Sequence, residues 1–165
     1  MCAFFALCGC QKKKTVHNTA FLGEDYAIDF PDNWEVKSKE NKYADVIGIS
    51  PKEDVQDLFR ENVNVVLENI PTSMTDAEYL KHSLSNANEI LGLPAEKEFS
   101  PLKVGKYPGY HIQYSTQVDQ IEAGCDIYIV LHERSAYVIT FSYAKGKRDA
   151  YIPTVDSIIE SFVIK

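Results

Sequence analysis

Apolar and polar residues alternate along much of this chain, and the period of the alternation changes twice. Tyr26-Ala27-Ile28-Asp29-Phe30 repeats every second residue, which predicts a half-buried strand. Pro31-Asp32-Asn33 turns the chain, and Trp34-Glu35-Val36-Lys37 alternates again. Further strands are predicted over 46–50, stopped by Pro51, and over 63–67, with Pro71 ending the region. Over 76–91 the period lengthens. Ala77, Leu80, Leu84, Ala87 and Leu91 recur at gaps of 3, 4, 3 and 4, one apolar stripe along a helix. Thr75 and Glu78 fit a capping box at its start, and Gly92 with Pro94 supplies a stop.

The period then returns to two. Tyr110, Ile112 and Tyr114 share one face of a strand, with His111, Gln113 and Ser115 on the other. Residues 121–132 are apolar on both faces from Ile127 to Leu131, as a covered central strand requires. Residues 136–142 pair with it across the polar connection His132-Glu133-Arg134-Ser135. A second helix is predicted over 150–161, with Tyr151, Val155, Ile158, Ile159 and Phe162 inward and Pro153 near its first turn. The order is strands, helix, strands, helix. That segregation predicts an α+β fold, an antiparallel β-sheet with helices packed on it. No repeat or Pro/Gly-rich linker divides residues 21–165, which therefore read as one domain.

Composition narrows the function classes. The 165 residues carry 17 Lys or Arg against 24 Asp or Glu, a formal charge of −7. With 45% hydrophobic residues the chain has the composition of an ordinary globular domain. Its acidic balance argues against a nucleic-acid partner, whose phosphates demand a basic surface.

Three of the four cysteines (Cys2, Cys8 and Cys10) fall within the first ten residues, which is no disulfide framework and no zinc spacing. Cys125, in a strand-like run, reads as a small buried apolar side chain. Residues 1–9 are uncharged and mostly apolar, too short to span a bilayer, and fit the tail of a secretory signal. Leu7-Cys8-Gly9-Cys10 resembles the bacterial lipobox, with Leu at −3, a small residue at −1, and the cysteine that accepts a diacylglycerol. This predicts residues 1–9 as a signal-peptide remnant, lipidation at Cys10, and residues 10–20 as a lipidated polar tether. Lys12 to Lys14 are placed to rest against anionic headgroups. No Lys or Arg precedes Lys12, so the true start is expected upstream of Met1.

Catalytic chemistry is sparse. There is no Gly-x-Ser-x-Gly elbow and no phosphate-cradling glycine loop, and His132-Glu133 lacks the second histidine of a zincin. His111 and His132, on neighbouring strands with Asp126 or Glu133 nearby, are the candidate metal ligands, suited to zinc or manganese. Glu24-Asp25, Glu53-Asp54 and Glu96 with Glu98 read as solvated loops. Arg134, Lys145, Lys147 and Arg148 read as a small basic cluster at one end. Tyrosine is the most frequent aromatic, with 10 residues, read chiefly as core with the hydroxyls reaching outward.

Several segments in order resemble one family. Tyr26 to Trp34, "YAIDFPDNW", is similar to the opening of PsbP-like domains. "VNVVLENI" at 63–70, the helix beginning near "DAEYL", "YPGYHIQY" at 107–114, "AYVITFSY" at 136–143 and "IIESFVI" at 158–164 continue the likeness. That superfamily includes the photosystem II protein, bacterial DcrB lipoproteins and the Ran-binding Mog proteins. The resemblance implies an α/β/α sandwich usually acting as a binding or assembly module; it does not imply an enzyme, it supplies no catalytic residues to transfer, and no cofactor is expected. The leading expectation is a lipid-anchored, extracytoplasmic envelope module on the cell or outer membrane with an envelope protein as partner. The alternatives are a cytosolic Mog-type regulator, or a metal-binding protein using His111 and His132.

Overall fold

The computed structural model of the protein describes residues 18–38, 44–91, 98–118 and 120–165. Five strands come first: β1 (Asn18–Leu22), β2 (Tyr26–Pro31), β3 (Glu35–Ser38), β4 (Val46–Ile49) and β5 (Asn62–Asn69). Helix α1 (Asp76–Leu91) follows, then β6 (Ser100–Val104), β7 (Tyr107–Val118), β8 (Ile121–His132) and β9 (Ser135–Ala144). Helix α2 (Arg148–Glu160) and the short β10 (Val163–Ile164) end the chain. The principal sheet is antiparallel with strand order β3-β4-β5-β9-β8-β7-β6, and β1-β2-β10 form a smaller one.

The alternation read from the sequence decides which layer covers which face. On one side of the large sheet, Tyr110, Ile129, Leu131, Ala136 and Val138 pack with Tyr79 and Leu80 of α1. Ile112, Tyr114 and Cys125 continue that layer against Leu84 and Ala87. On the other side Val63, Val65, Tyr128, Val130, Ile139 and Phe141 meet Val155, Ile158 and Ile159 of α2. Tyr26, Ile28 and Phe30 of the small sheet join this second core, which is the larger one. Each fully buried Ile or Phe in it contributes about 1.5–3 kcal/mol.

Several sequence expectations change in detail. The capping box is present: the Thr75 N–H donates to Glu78 (2.7 Å) and the Glu78 N–H to the Thr75 hydroxyl (3.3 Å). The stripe on α1 is turned, however, so that Tyr79 is buried and Ala77 exposed. Tyr79 wins because its hydroxyl reaches Glu68 on β5 at 2.6 Å while its ring is buried. Gly92 and Pro94, predicted as the stop of this helix, lie outside the described residues. Helix α2 starts two residues earlier than predicted, which puts Pro153 in its second turn, with its ring on the exposed side. Residues 18–20, expected in the tether, are strand, because β1 pairs with β2 from Asn18 opposite Pro31 to Leu22 opposite Ala27. Strands β1, β6 and β10 are not predicted from the sequence, being edge strands with weak alternation.

The predicted hairpin between β8 and β9 turns on Glu133 and Arg134, both with positive φ (44° and 68°). Arg134 offsets that strain by donating to the carbonyls of Ile70 and Pro71. Gly48 is set by a close approach: a methyl there would enter the ring of Phe30, itself fully buried. Gly48→Ala should therefore destabilise the fold by about 1–3 kcal/mol through overpacking. A denaturant midpoint that stays at the wild-type value would show that the layers can separate to admit the methyl.

Candidate functional site

One charged side chain lies at the centre of the covered strand. Asp126 is in β8, between Gln113 of β7 and Phe141 of β9, and none of its side chain is exposed. A carboxylate in that position is tolerated only when it is paired and hydrogen-bonded. Two elements supply the partners. Arg148, the first residue of α2, donates from Nε to Oδ2 (2.8 Å) and from Nη2 to Oδ1 (2.9 Å). His111 of β7 places Nε2 at 2.6 Å from Oδ1. The fork of a guanidinium matches both carboxylate oxygens at once, which makes this the stronger contact.

The surroundings are aromatic. The His111 ring lies 4.8 Å from the ring of Tyr128, its cross-strand neighbour. Gln113 donates to the Tyr143 hydroxyl at 2.9 Å. A cavity of about 360 Å³ opens beside Arg148, lined also by Gln113, Ser115, Gly124 and Tyr143. Burial by itself would push the Asp126 carboxyl up, but the hydrogen bonds and charges of His111 and Arg148 outweigh it and hold it below the usual carboxylate range. Burial, reinforced by the charge of Asp126, pushes the Tyr128 phenol above its ordinary value. With both oxygens of Asp126 already accepting hydrogen bonds, the cluster works as a clasp tying α2 to β7 and β8.

The metal expectation does not survive this geometry. His111 lies opposite Tyr128, and His132 is four residues further along β8, about 13 Å away at strand rise. Each imidazole has its own carboxylate, Asp126 for His111 and Glu133 for His132 at 3.9 Å. Among the described residues no group of three His, Cys, Asp or Glu is arranged to hold a metal ion. Nor is there a basic cluster: Arg134 and Lys145 bracket the ten residues of β9. Lys145, Lys147 and Arg148 pair instead with Glu122, Glu53 and Asp126. Glu24, Asp25, Glu53, Asp54 and Glu98 are exposed as expected. Cys10, Lys12 to Lys14 and Glu96 lie outside the described residues. The signal for the clasp was in the sequence, as a lone aspartate inside the apolar run Ala123 to Leu131 and an arginine where a helix begins.

An antiparallel sheet with α1 on one face and α2 on the other, fastened by a buried ion pair, defines an α/β/α sandwich. The chain belongs to the PsbP-like protein family, whose model matches residues 9–164. Among solved structures, cyanobacterial PsbP (CyanoP) from Synechocystis sp. PCC 6803 is similar, with TM-score 0.62 and 13% identity over 96% of this chain and 99% of that one. LpqN of Mycobacterium tuberculosis, described as involved in cell envelope biogenesis, has TM-score 0.59 and 12% identity over 92% of each chain. A larger protein from Bacteroides thetaiotaomicron VPI-5482 matches over 85% of this chain with TM-score 0.56 and 12% identity, and this chain spans only 45% of its length. Among curated proteins the sequence finds no match.

The lowered folded-state value of Asp126 fixes the sign of its pH effect. The native state binds fewer protons here than the unfolded chain, so the stabilisation is complete above about pH 4 and is lost as pH falls through the folded value. Asp126→Asn, which takes away the buried anion of Arg148 and leaves it only the exposed Asp149 at 3.8 Å, should cost about 3 kcal/mol at neutral pH. It should also flatten the acid limb of the stability curve. Urea unfolding of both proteins across the acid range checks this, and parallel acid limbs would mean that other carboxylates carry the dependence.

Proposed function

We propose that this protein is a lipid-anchored, extracytoplasmic binding module of the bacterial envelope, held to its membrane through Cys10. The observation that carries this reading is Leu7-Cys8-Gly9-Cys10 standing directly before a PsbP-like domain. PsbP-like family members are generally non-catalytic. The fold is shared with LpqN, a protein involved in cell envelope biogenesis, which supports an envelope setting.

The geometry suits a tethered body. The first described strand starts at Asn18, so seven residues separate it from Cys10, and the eight steps between them reach about 27 Å when extended. At that end Asn18 lies opposite Pro31, and the Thr19 hydroxyl donates to Asp32 at 3.4 Å. The chain therefore enters the sandwich beside the turn between β2 and β3. The sandwich itself needs no lipid, since its apolar layers are covered by its own helices and strands.

Expression with its own leader in a bacterial host, with radiolabelled palmitate, tests the anchor. The label should enter the wild-type chain and the chain should sediment with membranes, whereas Cys10→Ser should take up no label and pass into the soluble fraction. A wild-type chain that stays soluble with Cys10 unmodified would favour the cytosolic regulator instead.

A further inference from the structure

A cavity of about 520 Å³ lies between the turn that follows β2 and helix α2, within the ordinary size range of small-ligand sites. Its walls are held in place before anything binds. Pro31, Pro51 and Pro153 line it, each with one backbone dihedral fixed by its ring. The Trp34 backbone N–H donates to the Pro31 carbonyl (2.8 Å), and the Ser157 hydroxyl to the Pro153 carbonyl (3.0 Å). The rings of Trp34 and Tyr151 meet edge to face with centroids 6.3 Å apart, and the Tyr151 hydroxyl is tied to Glu53 (3.3 Å). Ile158, buried in the core, completes the apolar part of the lining. A site formed in advance loses little entropy on binding.

Two polar groups of opposite kind are left unmet there. Trp34, the only tryptophan of the chain, is 7% exposed, and an indole N–H so deeply placed ordinarily has an acceptor. Among the described residues it has none, yet the nitrogen is not sealed from solvent. Asp29 is half-buried in the same lining. Its backbone N–H meets the Ser161 hydroxyl at 2.8 Å, but its carboxylate has no partner among the described residues. Asp29 is also the one charged side chain of the lining. An occupant must therefore offer an acceptor to Trp34, a donor to Asp29, and an apolar side to the two rings and Ile158. That combination is selective. A phosphate or carboxylate only accepts and would face Asp29, whereas an ammonium only donates and would leave the indole N–H unmet. A proline-rich segment has no N–H to give to Asp29. A hydroxyl both donates and accepts, and a pyranose carries hydroxyls around its edge with C–H groups on its faces.

We propose that this cavity is a binding site for a neutral saccharide. One pyranose unit packs its C–H side on the Trp34–Tyr151 pair, with hydroxyls donating to Asp29 and accepting from Trp34 Nε1. Asn33 and Thr154, which also line the cavity and bond no other described residue, supply further donors and acceptors to the remaining hydroxyls. This goes beyond the reading of an anchored module and does not depend on the anchor.

Because Trp34 is the only tryptophan, its emission reports on the site directly. The full chain, unlipidated, should be titrated with maltotriose, cellotriose, mannotriose and tri-N-acetylchitotriose. Glycerol, butylammonium and a decaproline peptide serve as comparisons. A saturable change in emission with at least one trisaccharide, the same at low and high salt because the ligand is neutral, is the expected result. The comparisons should give no saturation. Asp29→Ala should weaken binding by about tenfold or more. Its thermal midpoint should stay near the wild-type value, since that carboxylate has no partner among the described residues. Trp34→Phe, followed by calorimetry, keeps an aromatic ring without the N–H and should weaken binding by about threefold or more. No saturation with any of the four sugars would overturn the proposal, as would unchanged affinity in Asp29→Ala. Saturation by decaproline or butylammonium in place of the sugars would show a different occupant and overturn it too. None of these outcomes bears on lipidation of Cys10, so failure here and failure of the anchor are read separately.

Discussion

The burial of β8 on both faces is the constraint from which the rest of the architecture follows. From Ala123 to Val130 nearly every side chain is enclosed, so the sheet needs a cover on each side. Helix α1 supplies one cover and α2 with the small sheet the other. Placing a carboxylate in that strand adds a second requirement. Asp126 cannot stay ionised among Tyr128, Phe141 and Val130 unless a cation reaches it, and Arg148 is positioned to do so only if α2 begins where it does. The ion pair costs desolvation and adds little net stability over an apolar substitute, but breaking it on one side is expensive. Its effect is to fix the docking of α2, and with it the site where Phe162 and β10 return to the core.

The parts of the fold legible in the sequence are those whose information is local. A helix with a capping box and a stripe, and long strands bounded by turns, announce themselves within a window of a dozen residues. Hence the predicted bounds of α1 and β8 coincide with the observed ones. Three of the four edge strands escape that logic. β1 and β6 owe their existence to neighbours far away in sequence, and Asn18 to Ala20 look like tether until β2 is present to pair with them. The rotation of α1 onto Tyr79 has the same cause, since a phenol that finds Glu68 across the sheet outweighs the small apolar gain of turning Ala77 inward.

The candidate site divides in the same way. Histidines on adjacent strands suggest a shared ligand, but strand register is a tertiary property, and here it separates His111 from His132 while joining His111 to Asp126. The apparent basic cluster dissolves for a related reason. Sequence proximity of Lys145, Lys147 and Arg148 says nothing about which acid each one meets, and each turns back to a different carboxylate of the body.

That pairing shapes what the protein offers to others. With Arg60 and Lys37 both committed to Glu35 as well, much of the positive charge near the sheet is spent internally. With 24 acidic residues against 17 basic ones, some carboxylates must stand without a basic partner. Repulsion among those groups destabilises the body slightly and keeps copies apart.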